Sequence, residues 1–199
     1  MSLVQDFQRH RGILFIVSGP SGVGKDTVLD NALQHLEGIA KSVSATTRHA
    51  RDNERDGVDY YFYTRERFET EIAESAFLEY EEYGSQLYGT PLAPVERQLA
   101  NGTDVVLKIE VKGALNVKRR YPETRLIFIQ PPAFSVLEDR LRMRGKDTSE
   151  QIQRRLEIAK SELSERREYH YLITNDDLDT AINTLCAIIV AERNRIHPI

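Results

Sequence analysis

The stretch Gly19-Pro20-Ser21-Gly22-Val23-Gly24-Lys25 decides the fold of this chain. It follows a continuous apolar run at residues 13–17, which has the length and composition of a β-strand buried on both faces. It precedes residues 25–37, where apolar side chains recur at the helical spacing of three and four. The stretch fits the pattern G-x-x-x-x-G-K, in which backbone N–H groups surround a phosphate and the lysine adds a mobile charge. We therefore predict a phosphate-binding loop between a buried strand and a helix.

Strands and helices alternate along the rest of the chain. Further buried strands are predicted at residues 105–109, 126–129 and 171–174. Helices are predicted at residues 92–100, 114–120, 134–144, 150–166 and 178–194. This alternation predicts an α/β fold, with a parallel sheet flanked by helices as in the P-loop NTPases.

Residues 44–89 show a different pattern, which we interpret as a small subdomain inserted into the α/β core. Two short tyrosine-rich strands are predicted at residues 59–63 and 77–83, and a short helix is predicted to start after Thr64.

Composition excludes several classes of protein. The chain has 199 residues, the size of one domain. Its net charge of −4 argues against a protein that coats nucleic acid, and its single cysteine excludes a disulfide framework or a cysteine zinc cluster. No apolar run reaches the roughly 18 residues of a membrane span, and the N-terminus lacks the pattern of a signal peptide. We expect a cytoplasmic protein without a membrane or nucleic-acid partner; a homo-oligomer is left open.

Motifs beyond the loop resemble those of the guanylate kinase family. They are Ser42-Val43-Ser44-Ala45-Thr46-Thr47-Arg48 with Arg51, Glu54, Gly57 and Asp59-Tyr60, then Phe77-Leu78-Glu79-Tyr80, Tyr88-Gly89-Thr90, Arg140-Leu141 and Asn175-Asp176-Asp177. They occur in order over about residues 12–190. The resemblance implies a kinase that transfers a phosphoryl group from ATP to GMP, with Mg²⁺ accompanying ATP. It also implies one domain with a core (about 10–43, 90–139 and 165–199), a GMP-binding subdomain (about 44–89) and a lid (about 140–164).

The resemblance also implies a set of GMP-binding residues. Glu79 matches the carboxylate that accepts hydrogen bonds from N1–H and the amino group of guanine, and adenine has no N1–H to offer. Leaving that carboxylate without a partner is expected to discriminate by roughly 10⁴-fold. The other matched positions are Ser44 and Thr90 for the base, Arg48, Arg51, Tyr60 and Tyr88 for the phosphate, and Glu110.

The ATP-binding and catalytic residues follow from the loop and from the same resemblance. The predicted ATP-binding residues are Gly19, Pro20, Ser21, Gly22, Val23, Gly24, Lys25, Asp26, Thr27 and Asn175. The predicted catalytic residues are Lys25, Arg140, Arg144 and Arg155, because phosphoryl transfer depends mainly on positioning and on neutralising charge. No general base is expected, since the accepting oxygen of GMP is already an anion near neutral pH.

Two positions depart from the family pattern. Asp26 replaces the serine or threonine whose hydroxyl usually binds Mg²⁺, and Lys108 stands where the family commonly has an acidic residue. Asp26 is a candidate metal ligand, because carboxylate oxygens suit Mg²⁺. We also predict that Asp26 and Lys108 pair with each other, since both changes fall near the metal position and their charges are opposite.

Two alternative functions remain open at this point. The Gly-Lys-Asp ending of the loop also resembles that of ribose 1,5-bisphosphate phosphokinase, which does not need Ser44, Glu79 and Thr90. The other alternative is a non-catalytic guanylate-kinase-like module that binds protein; such modules usually lose the phosphate loop, which this chain keeps.

Overall fold

The computed structural model describes residues 11–143 and 148–196. The strands are β1 (Leu14–Ser18), β2 (Ile39–Lys41), β3 (Ala45–Thr46), β4 (Tyr61–Phe62), β5 (Phe77–Tyr83), β6 (Gln86–Pro91), β7 (Asp104–Lys108), β8 (Arg125–Gln130) and β9 (Tyr171–Thr174). The helices are α1 (Lys25–Leu33), α2 (Arg65–Ala73), α3 (Leu92–Ala100), α4 (Val111–Arg120), α5 (Phe134–Met143), α6 (Ser149–Ser164) and α7 (Leu178–Arg193). Two compact units are present, one containing residues 38–107 and 116–124, the other 15–37, 108–115 and most residues after 124.

Parallel strands form the centre of the second unit. β1 pairs with β8 and β8 pairs with β9, with Val17 opposite Ile127 and Ile127 opposite Tyr171. The central residues of β1 and β8 are fully buried and apolar, as predicted for strands covered on both faces. Helices α1 and α7 pack together, and their buried side chains lie at helical spacing, for example Val28 and Ala32 on α1. The predicted α/β fold with a parallel sheet flanked by helices is confirmed.

The first unit contains a parallel pair and a separate four-stranded sheet. β2 pairs with β7, and Ala40 lies opposite Val105. The four-stranded sheet has the order β4-β3-β6-β5, in which β6 is antiparallel to both of its neighbours. Phe68 of α2 stacks on Phe77 of β5, with 4.4 Å between ring centroids, and closes a small apolar core over the sheet. The helix predicted after Thr64 is confirmed as α2, with the Thr64 side chain capping its first turn.

Some boundaries differ from the sequence prediction. Helix α1 ends at Leu33, four residues early, because the chain turns through Gln34 toward Gly38, which has a positive φ of 69°. The predicted strand at residues 59–63 shortens to β4, because residues 57–59 form a turn in which the backbone N–H of Gly57 donates to the carbonyl oxygen of Tyr60 at 2.8 Å. Strands β2, β3 and β6 were not predicted at all.

A buried ion pair joins α7 to the parallel strands of the second unit. Arg125 of β8 donates from Nε to Oε2 of Glu192 at 2.7 Å, and the Tyr171 hydroxyl donates to the other oxygen. The side chains of Arg125 and Glu192 are 9% and 1% exposed. Burial opposes ionisation of Glu192, but the hydrogen bonds from Tyr171 and Arg125 outweigh it and hold the pKa of Glu192 below its ordinary value.

We predict that Glu192→Ala lowers the free energy of unfolding by about 3–5 kcal/mol, because it leaves the Arg125 charge buried without its partner. The control Glu138→Gln, which breaks an exposed ion pair with Arg142, is expected to cost about 1 kcal/mol or less. Urea denaturation at neutral pH measures both.

Since the pKa of Glu192 is lowered in the folded protein, the contribution of Glu192 to the free energy of unfolding is present at neutral pH. That contribution declines as the pH falls through that pKa. Equal losses in the two variants would contradict the prediction.

Candidate active site

The predicted phosphate loop lies between the end of β1 at Ser18 and the start of α1 at Lys25. Gly19 and Gly24 have φ angles of 143° and 93°, a region that residues with a Cβ rarely adopt. A Cβ on Gly19 would lie 2.1 Å from the carbonyl oxygen of Ile129, and one on Gly24 would lie 2.6 Å from the side-chain nitrogen of Asn175. Both positions therefore require glycine, and the resulting backbone has the form that binds anions at a helix N-terminus.

Lys25 folds back over the loop from the first turn of α1. Its Nζ donates to the carbonyl oxygens of Gly19 at 2.5 Å and Pro20 at 3.0 Å. Burial lowers the pKa of Lys25, and the negative charges of Glu110, Glu162 and Asp26 oppose that shift. An ammonium that is poorly hydrated and donates to two carbonyl oxygens is well placed to exchange them for phosphate oxygens.

A cleft of about 400 Å³ lies beside the loop in the second unit. Its walls include Gly22, Gly24, Thr27, Arg140 and Asn175, all of them predicted site residues. The Asn175 side chain is buried and donates to the carbonyl oxygen of Val23 at 2.8 Å. Arg140, on α5, donates to the backbone oxygen of Asn175 at 3.1 Å. Asn175 thus supports the loop itself, in addition to the contact with ATP that the family resemblance implied.

Asp26 and Lys108 form an ion pair, as the sequence analysis predicted. Lys108 lies at the end of β7, and its Nζ donates to Oδ1 of Asp26 in the first turn of α1. Lys108 is 30% exposed and Asp26 is 64% exposed, so water reaches both partners. The pair carries no net charge.

Arg48 is the centre of a cluster in the four-stranded-sheet unit. Its guanidinium forms two parallel hydrogen bonds of 2.9 Å with the carboxylate of Glu54. It also lies over the rings of Tyr60 and Phe62, at 5.5 and 5.9 Å from their centroids. The hydrogen bond to Glu54 is the main reason that the pKa of Arg48 is raised, and Tyr88 contributes as well. Three of the four predicted phosphate-binding residues, Arg48, Tyr60 and Tyr88, are therefore brought together.

Glu79 and Thr90 face each other across β5 and β6. The Thr90 hydroxyl donates to Oε1 of Glu79 at 2.7 Å, which fixes one carboxylate oxygen. Thr90 is fully buried, and Glu79 is partly exposed. Ser44, also partly exposed, precedes β3 and accepts the backbone N–H of Tyr61 through its carbonyl.

The other predicted residues have varied surroundings. Pro20 and Val23 are buried within the loop, Ser21 and Gly22 are partly exposed, and Thr27, Arg51 and Glu110 are exposed. Arg155 is partly buried on α6. Arg144 lies outside the described residues. Among the described residues, no three His, Cys, Asp or Glu side chains cluster as a metal site would require, and none of the helices is long and apolar enough to cross a membrane.

Glu54 is a residue that the sequence analysis did not assign to the site. Besides its fork with Arg48, it accepts the backbone N–H of Arg51 at 2.9 Å. It therefore joins two residues that are predicted to bind phosphate. The spacing Arg48, Arg51, Glu54 was visible in the sequence, but a glutamate near two arginines on a polar segment gives no signal of its own.

Comparison with known proteins places these features in a family. The family model described as guanylate kinase matches residues 11–192. The chain belongs to the guanylate kinase family. A guanylate kinase from Thermus thermophilus is 51% identical over 185 residues, 93% of this chain and 84% of the relative. One from Bacillus subtilis is 43% identical, covering 96% of this chain and 95% of the relative.

One solved structure agrees with this family assignment, and a second shares only the fold. The crystal structure of a guanylate kinase from Anaplasma phagocytophilum has a TM-score of 0.75 at 30% identity, over 94% of this chain and 89% of that one. The structure of TT1252 from Thermus thermophilus, at a TM-score of 0.53 and 15% identity, covers 92% of this chain and 98% of that one and shares the fold alone.

We predict that Asn175→Ala loosens the phosphate loop of this guanylate kinase family member. The carbonyl of Val23 would lose a buried hydrogen bond, which costs on the order of 1–3 kcal/mol in local stability. Hydrogen exchange of the amides of residues 20–25 should accelerate on the order of tenfold or more. The control Gln130→Ala removes an exposed hydrogen bond to Thr174 and should leave that exchange unchanged. Unchanged loop exchange in Asn175→Ala would contradict the supporting role.

Proposed function

We propose that this protein transfers the γ-phosphoryl group of ATP to GMP, giving ADP and GDP. The observation that carries this proposal is one compact unit that holds both a carboxylate fixed by a buried hydroxyl, Glu79 with Thr90, and an oriented arginine, Arg48, just after β3. Such a unit suits a ligand that has hydrogen-bond donors at one end and an anion at the other. GMP has this chemistry, and the family supplies the reaction.

The donor side of the proposed site is the phosphate loop. Its glycine backbone and the N-terminus of α1 would hold the phosphates of ATP, with Lys25 moving from the loop carbonyls to a phosphate oxygen. The cleft beside Asn175 and Arg140 offers a place for the remainder of the nucleotide.

The acceptor side uses the four-stranded sheet. Glu79, one oxygen of which accepts from the Thr90 hydroxyl, is proposed to accept hydrogen bonds from N1–H and the amino group of guanine. Ser44 is proposed to contact the same base, and Glu110 is retained from the family pattern. Arg48, Arg51, Tyr60 and Tyr88 are proposed to hold the phosphate, where arginine forks and tyrosine hydroxyls supply donors.

The chemical step would depend on positioning and charge. The accepting phosphate oxygen of GMP already carries negative charge, so no side chain has to remove a proton. Lys25, Arg140, Arg144 and Arg155 are proposed to neutralise the charge that spreads over the transferred group. The proposal includes the division into core, GMP-binding subdomain and lid, and a cytoplasmic setting in which both nucleotides are available.

Mg²⁺ is proposed to enter with ATP. Bound with ATP, it would supply positive charge that offsets the charge of the phosphates. Mg²⁺ usually keeps several waters and needs few protein ligands, so the absence of a three-residue metal cluster among the described residues is compatible with this. Asp26 occupies the position of the usual protein ligand, and one of its oxygens already accepts from Lys108.

We predict that ADP release from ATP is rapid with GMP and about 10⁴-fold lower in kcat/KM with AMP. A coupled assay should compare GMP, AMP, ribose 1,5-bisphosphate and no acceptor under the same conditions. Faster reaction with ribose 1,5-bisphosphate than with GMP would overturn the proposal and indicate a ribose 1,5-bisphosphate phosphokinase. The observation that supports this alternative is Asp26 directly after Lys25. No turnover with any acceptor would favour a non-catalytic module.

The same assay on the variant Glu79→Ala tests the proposed contact between Glu79 and guanine. Loss of the carboxylate should raise KM for GMP on the order of a hundredfold and leave ATP binding unchanged, because the residues proposed to bind ATP do not include Glu79. Glu82→Ala, which removes an exposed carboxylate further along β5, is the matched control and should behave as the unmodified protein. An equal change in both variants would remove Glu79 from the site.

We also predict that Glu54→Ala raises KM for GMP about tenfold with little change in kcat, because Arg48 loses the fork that orients it. A guanidinium has five N–H groups, so Arg48 can keep Glu54 and still donate to a phosphate. Glu54→Gln should recover part of the affinity, since its amide oxygen can still accept. Glu71→Ala, which breaks the ion pair with Arg67 on α2, is the control. A fall in kcat without a change in KM would contradict a positioning role for Glu54.

A further inference from the structure

The first turn of α1 carries a charged pair where phosphate-binding loops of this pattern carry a hydroxyl. In the G-x-x-x-x-G-K-[ST] pattern the residue after the lysine places its hydroxyl on Mg²⁺. In this chain that residue is Asp26, and its Oδ1 accepts from the ammonium of Lys108.

The charges around this position define what the pair does. Without Lys108, Asp26 would add a full negative charge beside Lys25. The negative charges of Glu110 and Glu162 already raise the pKa of that lysine against the effect of burial. ATP without metal carries four negative charges, so a free carboxylate there would repel it. Lys108 cancels the charge of Asp26. The net charge beside Lys25 is therefore no more negative than it would be with a serine or threonine at position 26.

The same contact affects the metal. A dication on the carboxylate of Asp26 would lie next to the Lys108 ammonium and would be repelled by it. Mg²⁺ also demands close octahedral geometry, which it can complete with phosphate oxygens and water alone. Asp26, paired with Lys108, is therefore poorly suited to bind Mg²⁺ directly.

We propose that Asp26 and Lys108 act as a neutral pair that replaces the direct protein ligand of Mg²⁺ at the phosphate loop. Both are positioning residues: Lys108 keeps Asp26 from repelling ATP, and the protein binds ATP with a weaker dependence on the metal than a loop with a hydroxyl. This inference rests on the proposed function, because it concerns the same ATP site.

A small set of variants separates the charge of the pair from the missing hydroxyl. Asp26→Asn gives the pair a net charge of +1, and Lys108→Met gives −1. The double variant Asp26→Ser with Lys108→Met has no net charge, like the original pair, but restores the hydroxyl. Glu69→Gln is the control, because Glu69 is similarly exposed and also takes part in an ion pair. Lys108→Gln repeats the charge change if Lys108→Met does not fold.

Titration calorimetry of ATP binding, without any acceptor, gives a readout that does not depend on turnover. Each variant is titrated once in EDTA and once with saturating Mg²⁺, after its thermal unfolding is checked. In EDTA, Asp26→Asn should bind ATP about three- to tenfold more tightly than the original chain, and Lys108→Met about three- to tenfold more weakly. The double variant should match the original chain in EDTA within about twofold. Its gain in affinity on adding Mg²⁺ should be larger by about threefold or more.

The outcomes are distinct. If Asp26→Asn weakens ATP binding only when Mg²⁺ is present, Asp26 is a direct metal ligand and the proposal is wrong. If the EDTA affinities of all variants equal that of Glu69→Gln, the pair is only a surface contact and the proposal is wrong. If the double variant gains no more from Mg²⁺ than the original chain, the pair does not stand in for a ligand. Failure of the proposed function shows differently: ATP then binds as predicted but GMP is not phosphorylated, or the original chain binds no ATP.

Discussion

The close approach of Gly19 to the carbonyl of Ile129 is the constraint on which the second unit depends. Strand β8 lies directly beside β1, and the chain leaves β1 into the loop with no space for a Cβ. Gly24 has the same restriction against Asn175 at the other end of the loop. Between these two points the backbone has to turn sharply before α1 begins. The anion-binding shape of the loop thus follows from how it is packed, and a nucleotide does not have to induce it.

Cations that are proposed to meet phosphate are already bound to oxygen atoms of the protein. Lys25 contacts two loop carbonyls, Arg48 holds Glu54, and Arg140 contacts the backbone of Asn175. Ordering a long cationic side chain costs conformational entropy, and these contacts meet part of that cost before substrate arrives. They also differ in kind. Carbonyl partners are readily exchanged for phosphate, whereas a carboxylate partner holds its cation in place and sets the local charge.

The sequence predicted the parts of the fold that depend on local pattern. The apolar runs in β1, β7, β8 and β9 and the predicted helix α3 gave their positions within one or two residues. The prediction that β9 is a buried strand was wrong in part, because only Ile173 of its four residues is buried. Strands β2 and β3 have two or three residues each, too few for a period to be visible, and β6 contains Gly89 and ends in Pro91, which suppress the strand signal. The pair Arg125–Glu192 spans 67 positions and exists only because α7 packs beside β8. No local pattern contains that information.

The candidate site divides in the same way. Residues in the loop were predictable because the chemistry requires glycine and lysine at fixed spacing. The Asp26–Lys108 pair was predictable because both residues depart from the family pattern near the expected metal position and carry opposite charges. The role of Glu54 was not predictable, since it depends on the hydrogen bonds that Glu54 accepts from Arg48 and from the backbone of Arg51. A charged residue whose role is to hold another charged residue has no distinct composition or spacing. Such residues are nevertheless as restricted as the groups they orient, because a guanidinium fork donates two parallel hydrogen bonds only to a carboxylate that lies in its own plane. Substrate-binding arginines in polar segments are therefore best interpreted together with the carboxylates within reach of them.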